Sequence, residues 1–99
     1  MTGGTRLERR IRRDFPEPGS APEILRVLDG LPVAAGYAER ELRSERIRAA
    51  IVLSAGGDVT KFRRAVELAK RDWRDVLVAG GLADADWAVR LDAELGSER

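Results

Sequence analysis

Residues 49–55 read AAIVLSA, and this short apolar run constrains the fold more than any other part of the chain. A helix of this composition is apolar on almost every side, and such a helix is stable in water only when other helices surround it. Ser44 is the predicted start of the helix, and Gly56 and Gly57 predict its end. The sequence therefore predicts an all-α, compact single-domain bundle of five or six short helices, with the helix over residues 44–55 at its centre.

Apolar residues three or four positions apart predict the helices around this central helix, at 24–31, 59–71, 73–79 and 85–95. Residues 38–43 are expected to add a helical turn. Asp58 and Asp72 precede two of the helices and are expected to cap their amides. Ser20 and Glu23 have the spacing of a capping box at the start of another. The residues expected in the core are Ile47, Ile51, Phe62, Trp73, Leu77 and Trp87.

Residues 5–15 predict an arginine-rich helix in which Leu7, Ile11 and Phe15 form one apolar stripe. Because the stripe is narrow, we expect this helix to dock at the periphery of the bundle or on a second chain. Two prolines and a glycine follow the helix and predict a short, stiff link. The predicted organisation is an N-terminal helix and link at 1–19, a helical domain at 20–95 and a frayed tail at 96–99.

The absence of His and Cys excludes several kinds of chemistry from this chain, namely disulfides, thiolate metal sites and catalysis by His or Cys. Asp84 and Asp86 have the spacing of a metal-binding pair, but Ala88 and Val89 stand where a calcium loop needs further oxygen ligands. Ser54 has no neighbouring base to activate it, and its hydroxyl is expected to bond to the carbonyl four residues back. We therefore expect no enzymatic activity, no metal and no cofactor.

Hydropathy and charge bear on location and on partners. No apolar run approaches the roughly 20 residues of a membrane span, so we expect a cytoplasmic protein that makes no membrane contact. The net charge of +1 hides an uneven distribution, with +3 over residues 44–75 and −3 over residues 76–99. This near-neutral balance gives little long-range attraction toward nucleic acid.

The leading functional interpretation is a non-enzymatic protein–protein interaction module, such as an adaptor, a regulator or an accessory subunit. Its partner would be another protein or a second copy of the chain. Leu68 lies off the apolar stripe of its helix, and the N-terminal helix has a stripe that must be buried. The predicted interface is therefore Leu7, Ile11, Phe15 and Leu68.

The alternative is a nucleic-acid-binding domain of the helix-turn-helix kind, in which helix 59–71 follows helix 44–55 after a short turn. Its phosphate contacts would come from Lys61, Arg63, Arg64, Lys70 and Arg71, with Arg6, Arg9, Arg10, Arg12 and Arg13 as an N-terminal arm. Glu67 stands within the basic face and can pair with its neighbours. The face also has no Asn or Gln suited to reading adenine, which weakens this alternative.

One string of residues carries a family resemblance. Residues 72–82 read DWRDVLVAGGL and follow a helix–Gly–Asp–helix segment. This arrangement resembles a group of small helical proteins from high-GC actinobacteria with the string D-W/Y-R-D-x-L-V-x-A-G-L, although Gly80 stands where Ala is the more familiar residue. The resemblance covers about residues 20–95 and favours treating them as one unit in the cytoplasm. It implies no activity, cofactor or partner, so no functional residue is carried over from it.

Overall fold

Six helices account for most of the residues that the computed structural model describes, which are 5–30 and 45–96 without the side chain of Trp73. They are α1 (Arg6–Asp14), α2 (Ser20–Asp29), α3 (Glu45–Ala55), α4 (Val59–Arg71), α5 (Trp73–Gly80) and α6 (Trp87–Leu95). Within these residues there is no strand, and the chain forms one compact all-α bundle, as predicted. The predictions for Ser44, the turn at 38–43, the Trp73 side chain and the tail beyond residue 96 lie outside the described residues.

Helix α3 is the centre of the bundle, as its apolar composition predicted. Its Ile47, Ala49, Ala50, Ile51 and Val52 are all buried. It packs mainly against α5 and α4, and it also touches α1 and α6. Helix α2 packs mainly against α1, and it reaches the central helix through Asp29, which pairs with Arg48 of α3 at 3.4 Å.

Four of the residues predicted in the core are fully enclosed. Ile47, Ile51, Phe62 and Leu77 have at most 5% of their surface exposed. Trp87 is only half-buried, which corrects the prediction for this residue. The guanidinium carbon of Arg46 lies 4.6 Å from the centre of the Trp87 ring, so a cation covers part of the indole.

Helix α1 belongs to the bundle itself. Its stripe of Leu7, Ile11 and Phe15 is buried in the core of the same chain. The Phe15 ring meets the Phe62 ring edge to face, with the ring centres 6.1 Å apart and the planes at 71°. Of the two expected alternatives, docking of α1 on a second chain is therefore not met.

Two of the predicted helix caps are confirmed and a third is wrong. The Asp58 carboxylate accepts a hydrogen bond from the Lys61 amide, and Asp72 caps α5 in the same way. The capping box predicted at Ser20 is wrong, because Gly19 takes the cap position with φ +85° and the helix already begins at Ser20. The capping box that does form joins Thr5 and Glu8 at the start of α1.

Two details inside the bundle differ from what the sequence predicted. The Ser54 hydroxyl donates to the carbonyl of Ile51 at 3.1 Å, three residues back rather than four. Gly80 ends α5, as a helix stop should, but it also lies directly against α3. A Cβ at Gly80 would stand 2.6 Å from the Cα of Ala50, so only glycine allows the two helices to approach this closely.

Candidate protein-binding surface

Arg6 was a predicted nucleic-acid contact, but it is a buried structural residue. Its guanidinium donates two hydrogen bonds of 2.9 Å to Glu45, another to Asp92 and another to the carbonyl of Gly96. Hydrogen bonding to Glu45, and then to Asp92, raises the pKa of Arg6 above its ordinary value. Only 9% of Arg6 is exposed, so the charge that joins α1, α3 and α6 is withheld from any external phosphate.

Arg10 is held within the chain in a similar way, which corrects a second predicted contact. Its guanidinium lies 3.0 Å from the Asp14 carboxylate and donates at 2.7 Å to the carbonyl of Glu94. Arg9, Arg12 and Arg13 remain exposed on α1. The N-terminal arm is therefore reduced from five arginines to three, because two of them secure α1 to α6 and to its own last turn.

The basic residues of α4 are all exposed, namely Lys61, Arg63, Arg64, Lys70 and Arg71. Glu67 lies among them, with a carboxylate oxygen 3.6 Å from the Lys70 ammonium. The side chains of the other four make no ion pair with any residue in the described ranges 5–30 and 45–96. The outer side of α4 therefore carries positive charge that the described part of the chain leaves uncompensated.

Leu68 is half-buried in the middle of this basic side and packs partly against the core. Lys61, Arg64 and Arg71 are seven positions before it, four before it and three after it, so all three lie on the same side of the helix. A depression of about 470 Å³ runs along α4 beside Leu68, and its lining includes Arg64, Arg71 and the acidic Glu67. We call Leu68 with these three basic residues the Leu68 surface.

A second depression extends this surface toward neighbouring helices. It has a volume of about 210 Å³, and Leu68, Lys61 and Arg64 are among the residues that line it. Its floor includes the buried Ala65 of α4 and the exposed Ala79 of α5. An apolar side chain from outside can therefore reach Leu68 between small residues, with cationic groups at the rim.

The four predicted interface residues are not brought together on one surface. Leu7, Ile11 and Phe15 are buried in the core, so they offer nothing to a partner, and only Leu68 remains accessible. The physical reason is that the α1 stripe finds enough apolar surface within its own chain. These three residues are therefore removed from the candidate interface.

The sequence interpretation missed two strongly exposed apolar residues, Val78 of α5, which is 68% exposed, and Val89 of α6. Val89 of α6 is 70% exposed, and it lies between Asp86 and Asp92, which are three positions away on either side. The signal was present in the sequence, since Val89 falls off the apolar stripe of Trp87, Leu91 and Leu95 just as Leu68 falls off its own stripe. Only the exposure in the fold distinguishes it from a residue that packs beside the stripe.

The described residues also bear on metal binding and on membrane insertion. No three Asp or Glu side chains there form a group that could hold a metal ion. Within 5–30 and 45–96, no helix combines the length and the apolar character that crossing a bilayer requires.

A scan against protein-family models finds no match to the chain, and searches of curated proteins and of solved structures find none either. Function is therefore inferred from the surface of the molecule alone.

Proposed function

We propose that this chain is a non-enzymatic protein–protein interaction module, acting as an adaptor, a regulator or an accessory subunit, and that it binds its partner on the Leu68 surface. The observation that carries the proposal is a half-buried leucine ringed by three exposed cations without ion partners in the described chain. Apolar anchors within a charged rim are typical of protein interfaces, in which the anchor supplies affinity and the rim selects the partner. The cytoplasmic location expected from the sequence is kept as part of this proposal.

The chemistry of the surface indicates what kind of partner it fits. Arg64 and Arg71 carry planar guanidinium groups that bind carboxylates through two hydrogen bonds. Leu68 and the small residues Ala65 and Ala79 would accept one apolar side chain. The partner we propose is a helix that presents an apolar residue flanked by Asp or Glu.

A nucleic-acid-binding function remains the second candidate, because five basic side chains are exposed along α4. The loss of Arg6 and Arg10 to structural roles reduces the phosphate contacts available to it. Asp58 at the start of α4 and Glu67 in its middle place negative charge on the helix that would enter a groove. Such binding would rest on phosphate contacts and fall steeply with salt.

Affinity capture from native lysate, with and without nuclease, tests the proposal. The tagged full-length chain should retain a protein partner after nuclease treatment, and Leu68→Glu should lose it. Val59→Glu is the matched control, since Val59 is 40% exposed on α4 but lies on the opposite side of the helix from Leu68. Equal capture by the wild type and Leu68→Glu would contradict the proposal, and loss of every partner with nuclease would favour the nucleic-acid function.

A further inference from the structure

The outer side of α6 has a surface whose chemistry is the inverse of the Leu68 surface. Val89 is its apolar centre and is 70% exposed. Asp86 and Asp92 lie one turn before and after Val89, and their side chains are 60% and 58% exposed. Ala93 lies one turn after Val89 on the helix and Ala85 lies just before the helix begins, and both are exposed as well. We call these five residues the Val89 surface.

The intramolecular ion pairs leave the Val89 surface negative. Asp92 accepts a hydrogen bond from Arg6, but that one guanidinium also serves Glu45, so two carboxylates share a single positive charge. Asp86 forms only a long ion pair, with a carboxylate oxygen 4.0 Å from Arg90 Nε, and the same guanidinium also donates to the carbonyl of Gly81. The uneven charge of the sequence, +3 over 44–75 and −3 over 76–99, is therefore expressed as two oppositely charged helix faces.

We propose that a second copy of this chain is the partner, and that the Val89 surface of one copy docks on the Leu68 surface of the other. This inference rests on the proposed function of the Leu68 surface. Val89 would enter the apolar depression beside Leu68, while Asp86 and Asp92 would face Arg64 and Arg71. The two surfaces meet as apolar centre on apolar centre and carboxylate on guanidinium, which is the complementarity that fixes register between partners.

The geometry of the two surfaces determines the kind of assembly. They lie on different helices, α4 and α6, which do not form a main packing contact with each other. A contact between two different patches is head-to-tail, so a pair of copies leaves one Leu68 surface and one Val89 surface free, and further copies can add to either end. A contact made by one helix face on another is at the low end of interface sizes, below about 1,200 Å², so we expect a weak association.

Sedimentation of the full-length chain tests the inference at concentrations up to about 1 mM, where weak complexes form. We expect an average mass that rises with concentration at low salt and falls toward the monomer at high salt, where the Debye length shrinks to about 3 Å. Arg64→Glu and Val89→Lys should each weaken self-association at least about tenfold, because each places like charges in contact. Val59→Lys, on the far side of α4, is the matched control and should associate like the wild type.

Mixing the two defective variants is the decisive arm. The Arg64→Glu chain keeps an intact Val89 surface, and the Val89→Lys chain keeps an intact Leu68 surface. The mixture should therefore form a 1:1 complex, although each variant alone stays monomeric. Circular dichroism of each variant should show the helical content of the wild type, as expected for substitutions at exposed positions.

The outcomes distinguish a failure of self-association from a failure of the proposed function of the Leu68 surface. A wild type that stays monomeric at low salt, or a mixture that fails to combine, overturns docking of a second copy. If the wild type is monomeric while Leu68→Glu still loses a protein from lysate, the proposed function stands with a different occupant. If Leu68→Glu changes neither capture nor self-association, both are wrong.

Discussion

Replacing Gly80 with alanine tests the packing of the bundle at its tightest point. A Cβ at this position would lie 2.6 Å from both the Cα and the carbonyl oxygen of Ala50, and 2.8 Å from its Cβ. Two of these three atoms are backbone, so no side-chain rotation relieves the contact. The end of α5 must therefore move away from α3, and this movement loosens the enclosure of Val76 and Leu77.

The expected size of the effect comes from two opposing contributions. Overpacking a well-filled core destabilises a protein by about 1–3 kcal/mol. Alanine favours a helix over glycine by about 0.5–1 kcal/mol, which offsets part of that loss. We therefore expect Gly80→Ala to lower the free energy of unfolding by about 1–2 kcal/mol. For a domain of this size, such a change lowers Tm by about 5–15 °C.

Urea and thermal unfolding followed by circular dichroism measure this change, with Gly30→Ala as the matched control. Gly30 has ordinary helical backbone angles, and among the described residues the nearest atom to an added Cβ is a carbonyl oxygen at 3.6 Å. The control should be unchanged or up to about 1 kcal/mol more stable. Adding Ala50→Gly to Gly80→Ala should restore stability only in part, because the two backbone contacts remain. A Gly80→Ala variant as stable as the wild type would show that α3 and α5 do not approach as described.

Three further substitutions test other parts of the account by the same unfolding measurements. Arg6→Met removes the buried donor to two carboxylates and a carbonyl, and should destabilise the fold by about 2 kcal/mol; an unchanged midpoint would remove Arg6 from the list of structural residues. Phe15→Ala should lower the free energy of unfolding by about 3–5 kcal/mol, because the ring is enclosed against Phe62. A loss below about 1 kcal/mol would show that the α1 stripe is not buried in the core. Gly57→Ala should destabilise by about 1–3 kcal/mol, because φ is +84° and the added Cβ would lie 2.9 Å from the carbonyl oxygen of Asp14; full stability would contradict this turn geometry.

The parts of the fold that were predictable depend on local patterns. The run at 49–55 identified the central helix, because a helix that is apolar all round has to be enclosed wherever its neighbours come from. Asp58 and Asp72 were correctly interpreted as caps, since a cap acts on amides two or three residues away. The Ser20 prediction failed because Gly19, with its positive φ, starts the helix one residue early.

The parts that were not predictable depend on contacts between distant positions. The pattern of the α1 stripe predicted that the stripe is buried, but it did not determine whether the same chain or another chain covers it. Arg6 was interpreted as a surface cation because its partners Glu45 and Asp92 are 39 and 86 residues away. Gly80 was interpreted as a stop signal alone, because its second role exists only once α5 lies against Ala50.

The candidate surface was also predictable where it depends on local patterns and not where it depends on distant contacts. Leu68 was identified because it breaks the stripe of its own helix, a local signal that Val89 also carried. The exposed charge around Leu68 could be counted from the sequence, whereas the sequestration of Arg6 and Arg10 could not. The structure therefore leaves α4 as the main basic face among the described residues and removes α1 from the apolar interface.

The most direct test of the central claim, that the partner docks beside Leu68, is site-specific photocrosslinking in living cells. A photoreactive amino acid replaces Arg71 on the Leu68 surface in one chain, and Val59 on the opposite side of α4 in another. We expect a discrete protein adduct from position 71 and none from position 59, and an adduct of twice the chain's mass would identify the second copy. Equal adducts from both positions, adducts from position 59 alone, or crosslinks to nucleic acid only would contradict the claim.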